Sequence, residues 1–228
     1  MEQESLNGIH RHDILRLTQA GETETWMSRQ DKRMQDELCR EKYPNVPAIC
    51  TGGQDRLHEG KLRVGISYPL RINGGRWRIS AYASVDTIAQ VITPWELVRH
   101  GASLPGRFEE AIQELSVAAD RNRISIGLFG ATALQRVTAY PYLHDGSDMD
   151  IAVCAEEKDG LLSFADALRS VEQRYALPID VEVQLTENRG VKLKELIETK
   201  STVLVKGNGT PHLLSHHMVW EAIKTVDK

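Results

Sequence analysis

Apolar and polar positions alternate with period two in "LRVGISYPLRI" (62–72) and "RWRISAYASV" (76–85), and the "NGG" between them is a turn signal. A β-hairpin follows. "DKRMQDELCREKYPNVPAICTGGQD" (31–55) passes from helix-like polar sequence to Pro- and Gly-punctuated loop, so the chain up to about residue 95 reads as β-rich and irregular. Beyond that point the spacing of apolar positions changes. In "TPWELVRHG" (93–101), Thr93 suits an N-cap, Pro94 the first helical position and Gly101 the end, which predicts a helix. Phe108, Ile112, Leu115 and Ala119 then form a stripe at spacings of three and four within "PGRFEEAIQELSVAADRN" (105–122), a second helix.

The remainder alternates between strand and helix. "ISIGLFG" (124–130) reads as a buried strand, "ATALQRVTA" (131–139) as a helix, "YPYLHDG" (140–146) as a loop and "SDMDIAVCA" (147–155) as a strand. "GLLSFADALRSVEQRYA" (160–176) is an amphipathic helix, "IDVEVQL" (179–185) an alternating strand and "GVKLKELIETK" (190–200) a further helix. "STVLVKG" (201–207) adds a strand before a last helix in "SHHMVWEAIKTVDK" (215–228). The expected organisation is therefore a β-rich N-terminal domain over 1–95 and a second domain over 96–228, α/β or α+β around a small sheet.

Composition narrows the function classes. A net charge of −4 and a pI near 6.1 argue against a broad basic face for long nucleic acid. Cys39, Cys50 and Cys154 are too few for a disulfide framework and form no zinc pair, so they read as reduced thiols. The polar start "MEQESLNGIHRHDILRL" and the absence of any long apolar run predict a cytoplasmic protein with no membrane span. His10, His12, His212, His216 and His217 lack partners at zinc-ligand spacing.

The chemistry concentrates around "DMDIAV". Side chains alternate along a strand, so Asp148 and Asp150 share one face, roughly 7 Å apart, while Met149 projects to the other. Two such carboxylates repel unless a cation lies between them. Magnesium suits this: it takes carboxylate oxygens and substrate phosphates and keeps part of its water. A third acid comes from the alternation of "IDVEVQL", with Asp180 the first choice and Glu182 the second. Upstream, Gly130 stands where a strand turns into a helix, and a helix N-terminus offers free N–H groups to an anion.

These residues resemble the polymerase-beta type of nucleotidyltransferase: a hydrophobic residue and glycine, a helix, D-x-D, and a later acid on a strand. With "RHDILRL", "GKLRVGISYPLRINGGRWRISAYAS", "ITPWEL", "IDVEVQL" and "VLVKG", the chain is similar to the phosphoribosyl-dephospho-CoA transferases of malonate decarboxylase, its holo-[acyl-carrier-protein] synthases, from about residue 11 to 210. The resemblance implies an α+β fold with a nucleotidyltransferase C-terminal domain, a small mixed sheet flanked by helices, and a smaller β-rich N-terminal domain. It also implies a transferase that moves 2'-(5''-phosphoribosyl)-3'-dephospho-CoA from its triphosphate precursor, triphosphoribosyl-dephospho-CoA, to a serine of the apo acyl-carrier subunit, releasing diphosphate. Adenylylation of a protein or small molecule from ATP, and a non-catalytic nucleotide-binding subunit, are the alternatives.

On that resemblance Asp148, Asp150 and Asp180, with Glu182 in reserve, are the expected catalytic acids, the first three holding two magnesium ions. Gly130, Ala131, Thr132 and Ser147 are the expected phosphate contacts, joined by Arg136 and Lys206. The family pattern has Ser after the glycine and usually Trp before the Gln, where this chain has Ala131 and Leu134. His12-Asp13 matches an early family motif, for structure or for substrate contact. Arg71, Arg76 and Arg78 flank the "NGG" turn as a basic edge, either solvated or facing the carrier protein or precursor phosphates.

Overall fold

The computed structural model describes residues 8–29, 34–52, 57–185, 188–198, 201–207 and 210–223. The N-terminal part contains β1 (Ile14–Leu17), α1 (Gln19–Met27), α2 (Met34–Lys42), β2 (Ala48–Cys50), β3 (Leu57–His58), β4 (Lys61–Ile72), β5 (Gly75–Ser84) and β6 (Ile88–Ile92). Its strands form one antiparallel sheet in which β4 pairs with β5, β2 and β3, and β1 lies between β2 and β6. The expected hairpin is β4–β5, turning at Asn73 and Gly74, both with positive φ. Its register shifts between Ser67 and Arg71, where Pro69 has no N–H to give the ladder. Two helices add to the β-rich expectation; Thr18 caps α1 by accepting from Gly21 N–H at 3.1 Å.

A second sheet follows. Its elements are α3 (Gly106–Arg121), β7 (Ile124–Phe129), α4 (Gly130–Thr138), β8 (Met149–Ala155), α5 (Lys158–Tyr175), β9 (Ile179–Leu185), β10 (Arg189–Lys192), α6 (Leu193–Glu198), β11 (Thr202–Lys206), β12 (His212–Ser215) and α7 (His216–Ile223). The strand order is β12-β11-β10-β9-β8-β7, with β8 and β9 parallel and the other neighbours antiparallel. Parallel neighbours need a long crossover, which α5 supplies. The chain is thus a mixed α/β structure built on two sheets. No helix among the described residues is long and apolar enough to cross a membrane.

Two expectations are corrected, and one strand is added. "TPWELVRHG" holds only a single 3-10 turn over Glu96–Val98, because its backbone serves β7: Pro94 C=O accepts from Leu128 N–H at 2.8 Å, lining the edge of the sheet. Residues 190–198 are not one helix but the end of strand β10 followed by α6, since Asn188 in the left-handed region turns the chain back along β9. Residues 212–215 form a strand ahead of α7, and the 224–228 end of the expected last helix lies outside the described residues. The α3 stripe is as read, with Phe108, Ala111, Ile112, Leu115 and Ala119 buried.

Alternation along β1 joins the two halves. Ile14 faces the core of the second sheet while its neighbour Leu15 faces that of the first, and both are essentially inaccessible. Ile49 and Ile92 stand beside Ile14 in register and pack against the same second core.

Candidate active site

Asp150 and Asp180 are register partners on parallel strands, and Phe129, the last residue of β7, pairs with Asp150 from the other side. The D-x-D strand, the later acid and the strand-to-helix glycine therefore meet at one sheet end. Gly130 opens α4 with φ +64, and a Cβ there would stand 1.9 Å from Asp150 Oδ2. Only glycine meets both conditions. The Ala131 N–H, one of the free donors of the helix start, favours the charged form of the Asp150 carboxylate.

Asp150 is largely buried, and burial together with the charges of Asp148 and Asp180 raises its carboxyl to about 7, against the pull of Ala131 N–H and Arg76. Asp148, on the last residue before β8, is exposed and shares with Asp180, Arg169 and Lys194 the lining of a cavity of about 400 Å³. A larger cavity of about 720 Å³ is lined by first-sheet residues such as Trp26, Tyr43 and Tyr68; none of the three acids lines it, so volume does not mark the chemistry here. Lys192 Nζ lies 2.8 Å from Asp180 Oδ2. This lysine is absent from the sequence-based set because its strand reads as helix; in alternation after Gly190 it would have stood out.

Glu182 occupies a different place. Both its oxygens are held by the Arg11 guanidinium, Nη2 to Oε2 at 2.7 Å, and His12 Nε2 lies 3.1 Å from Oε1. Burial pushes its carboxyl up, but the bonds to His12 and Arg11 win and bring it to about 2. Burial lowers the His12 imidazole despite its bond to Glu182, so the ion pair is the one with Arg11. His12, at φ 78, stacks on Phe129 with ring centroids 4.1 Å apart. Asp13 accepts from His10 N–H at 2.6 Å. The "RHD" motif is in this way a fastening between the two sheets, and Gly190 leaves the room, since a Cβ there would stand 2.4 Å from Glu182 Oε1.

The expected phosphate contacts divide. Gly130 and Ala131 lie against Asp150, whereas Thr132 is a correction: its side chain is fully buried with the hydroxyl unpartnered, so that hydroxyl meets no phosphate. Ser147 ties the loop before Asp148, its Oγ accepting from His144 N–H at 3.0 Å. Arg136 is a second correction: it is 5% exposed, paired with both Glu109 oxygens at 3.0 Å and donating to the carbonyls of Leu97, Val98 and Ala102, so no phosphate reaches it. Lys206 is another. It aligns through Gly190 with Gln184, which puts it two strands over and about 13 Å further along than Asp180.

The donor set of Asp148, Asp150 and Asp180 is all carboxylate oxygen, with a charge excess that favours a hard cation. Among the described residues no group of three or more acid, histidine or cysteine side chains is placed to hold a metal ion. A magnesium ion bound between these acids would take much of its shell from water and substrate phosphate. All three cysteines are free.

No solved structure matches the chain. It is 29% identical over 169 residues to the phosphoribosyl-dephospho-CoA transferase of Xanthomonas euvesicatoria, covering 74% of this chain and 78% of that one. Identity to the protein of the same name from Xanthomonas axonopodis is 26% over 212 residues, 93% and 97% of the two chains. For Bradyrhizobium diazoefficiens it is 23% over 211 residues, 91% and 90%. The family model described as "Phosphoribosyl-dephospho-CoA transferase MdcG C-terminal domain" matches residues 96–217, from the 3-10 turn into α7 and across the whole acid cluster. The chain belongs to the MdcG family of phosphoribosyl-dephospho-CoA transferases.

Proposed function

We propose that this chain transfers the 2'-(5''-phosphoribosyl)-3'-dephospho-CoA group from its triphosphate precursor to a serine hydroxyl of the apo acyl-carrier subunit of malonate decarboxylase, as a nucleotidyltransferase-fold enzyme of the cytoplasm. The single observation that carries this reading is the meeting of Gly130, Asp150 and Asp180 at one sheet end, inside the segment that matches the family.

In the reaction, the serine oxygen forms a bond to the phosphorus nearest the ribose while the bond from that phosphorus to the bridging oxygen breaks, and diphosphate leaves. Asp148, Asp150 and Asp180 are the residues that would hold magnesium, which when bound neutralises phosphate oxygens and acidifies the attacking hydroxyl. Asp180 is oriented by Lys192 at Oδ2, which leaves Oδ1 to receive the serine proton. Glu182 does not take that role, because Arg11 engages both of its oxygens. Gly130 and Ala131 bring the helix start to the reacting phosphate, and the short α4 adds positive potential there.

The test is direct. Full-length protein is incubated with magnesium, the triphosphate precursor and apo carrier, and the carrier is weighed by mass spectrometry. A gain equal to the phosphoribosyl-dephospho-CoA group, abolished in Asp150→Asn, is the expected result. An adenylyl-sized gain from ATP alone favours adenylylation, and an unchanged carrier mass with both donors removes the enzymatic reading.

A further inference from the structure

The β4–β5 hairpin places Arg71 directly opposite Arg76, with Arg78 two residues on and therefore on the same face. Like charges facing each other across an antiparallel pair destabilise it. Among the described residues none of these three arginines forms an ion pair with a carboxylate, although elsewhere Arg11, Arg136 and Arg174 each do. The cluster is left in excess positive charge.

Its position is fixed by the loop before Asp148. Arg76 Nη2 donates to Tyr142 C=O at 3.1 Å, and Arg71 contacts the His144 ring and donates to Gly74 C=O at 2.9 Å. From the other side Arg107 donates to the carbonyls of His144 and Asp145. Arg76 is half-buried and lies within the field of the Asp150 carboxylate, while Arg78 is exposed. A small polyphosphate can reach a half-buried guanidinium held on the loop before Asp148; the flat surface of a protein partner reaches it far less readily.

We propose that Arg71, Arg76 and Arg78 form the binding face for the terminal phosphates of the donor, so that the first sheet grips the leaving diphosphate while the second carries the reacting acids. This rests on the transferase reading above. It also supplies the cationic contacts that Arg136, buried on Glu109, and Lys206, two strands away, do not.

Inorganic tripolyphosphate is titrated into the full-length protein by calorimetry at low salt without divalent metal. The expected result is measurable binding that weakens by about tenfold or more in Arg76→Gln and in Arg78→Gln. Arg76→Lys should recover part of the loss, because it keeps the positive charge. Since Arg76 also holds Tyr142, the exposed Arg78→Gln is the decisive variant, with its melting curve recorded alongside. Wild-type protein that does not bind tripolyphosphate, or Arg78→Gln that binds like wild type, overturns the assignment. So does a rise in KM for the carrier with an unchanged KM for the donor, which makes the face a docking site for the acceptor. The titration needs neither carrier nor turnover, so phosphate binding by this face is decided even where the transfer assay fails.

Discussion

Asp150 holds its proton to about pH 7 in the fold, whereas in an unfolded chain a carboxyl releases it near 3.8. The folded state therefore binds the extra proton between these values, so stability is full below about pH 4 and falls as pH rises through 7. The difference corresponds to an upper bound of about 4 kcal/mol. Asp150→Asn removes the ionisation, and in metal-free buffer it should be about 2 to 4 kcal/mol more stable than wild type at pH 8 by urea unfolding. The gap should close toward pH 4; a gap that is constant with pH would show that Asp150 carries no such burden. Period-two alternation puts Asp148 with Asp150 and offers Asp180 and Glu182 alike on the later strand; only the register of β9 on β8, with Arg11 on Glu182, tells the two apart. Lys192 is not legible in the chain, since its strand resembles a helix in sequence, and neither is the partner of Glu182, because no local pattern announces that Arg11 lies 171 positions away.

At the level of elements, alternating and long amphipathic segments are readable while short ones are not. β4–β5, β9, α3 and α5 carry their periods over many residues. β10, α6 and the 3-10 turn at Glu96–Val98 are too short for any period to declare itself, and tertiary contacts decide them. A tertiary contact with a measurable consequence is Arg11 on β9's Glu182, both side chains largely buried. Glu182 is depressed from 4.5 to about 2, so it contributes stability that is present above about pH 4.5 and lost as pH falls through 2. Removing one member of a buried pair leaves the other charge uncompensated, which costs about 3 kcal/mol or more. Arg11→Met should lower the unfolding free energy by that order at pH 7 and reduce the acid sensitivity between pH 4.5 and 2, both read by denaturant titration at several pH values. A variant as stable as wild type would reduce the "RHD" motif to a surface feature.

For the molecule as a whole, the question is whether two sheets with two cores unfold as one. The cores meet where β1 passes between them, through the row Ile49, Ile14 and Ile92, and polar ties reinforce the seam. Tyr142 donates to Ser67 C=O at 2.7 Å, Tyr140 to Pro44 C=O at 2.9 Å, and Arg11 N–H to Asn188 Oδ1 at 3.1 Å. Function on the proposed reading needs this coupling, because the arginine face belongs to the first sheet and the acids to the second. Ile14 is 1% exposed, so Ile14→Ala opens a cavity in the seam and should cost about 2 to 5 kcal/mol. Wild type should unfold in one urea transition, with far-ultraviolet circular dichroism and tryptophan fluorescence superimposable, since Trp26 and Trp77 report the first sheet and Trp220 the second. Combining Ile14→Ala with Arg11→Met should separate the two curves, as each core then melts on its own. Coincident curves in the double variant would mean that the sheets are joined by contacts other than this row and the Arg11–Glu182 pair, and that donor grip and chemistry are coupled elsewhere along the seam.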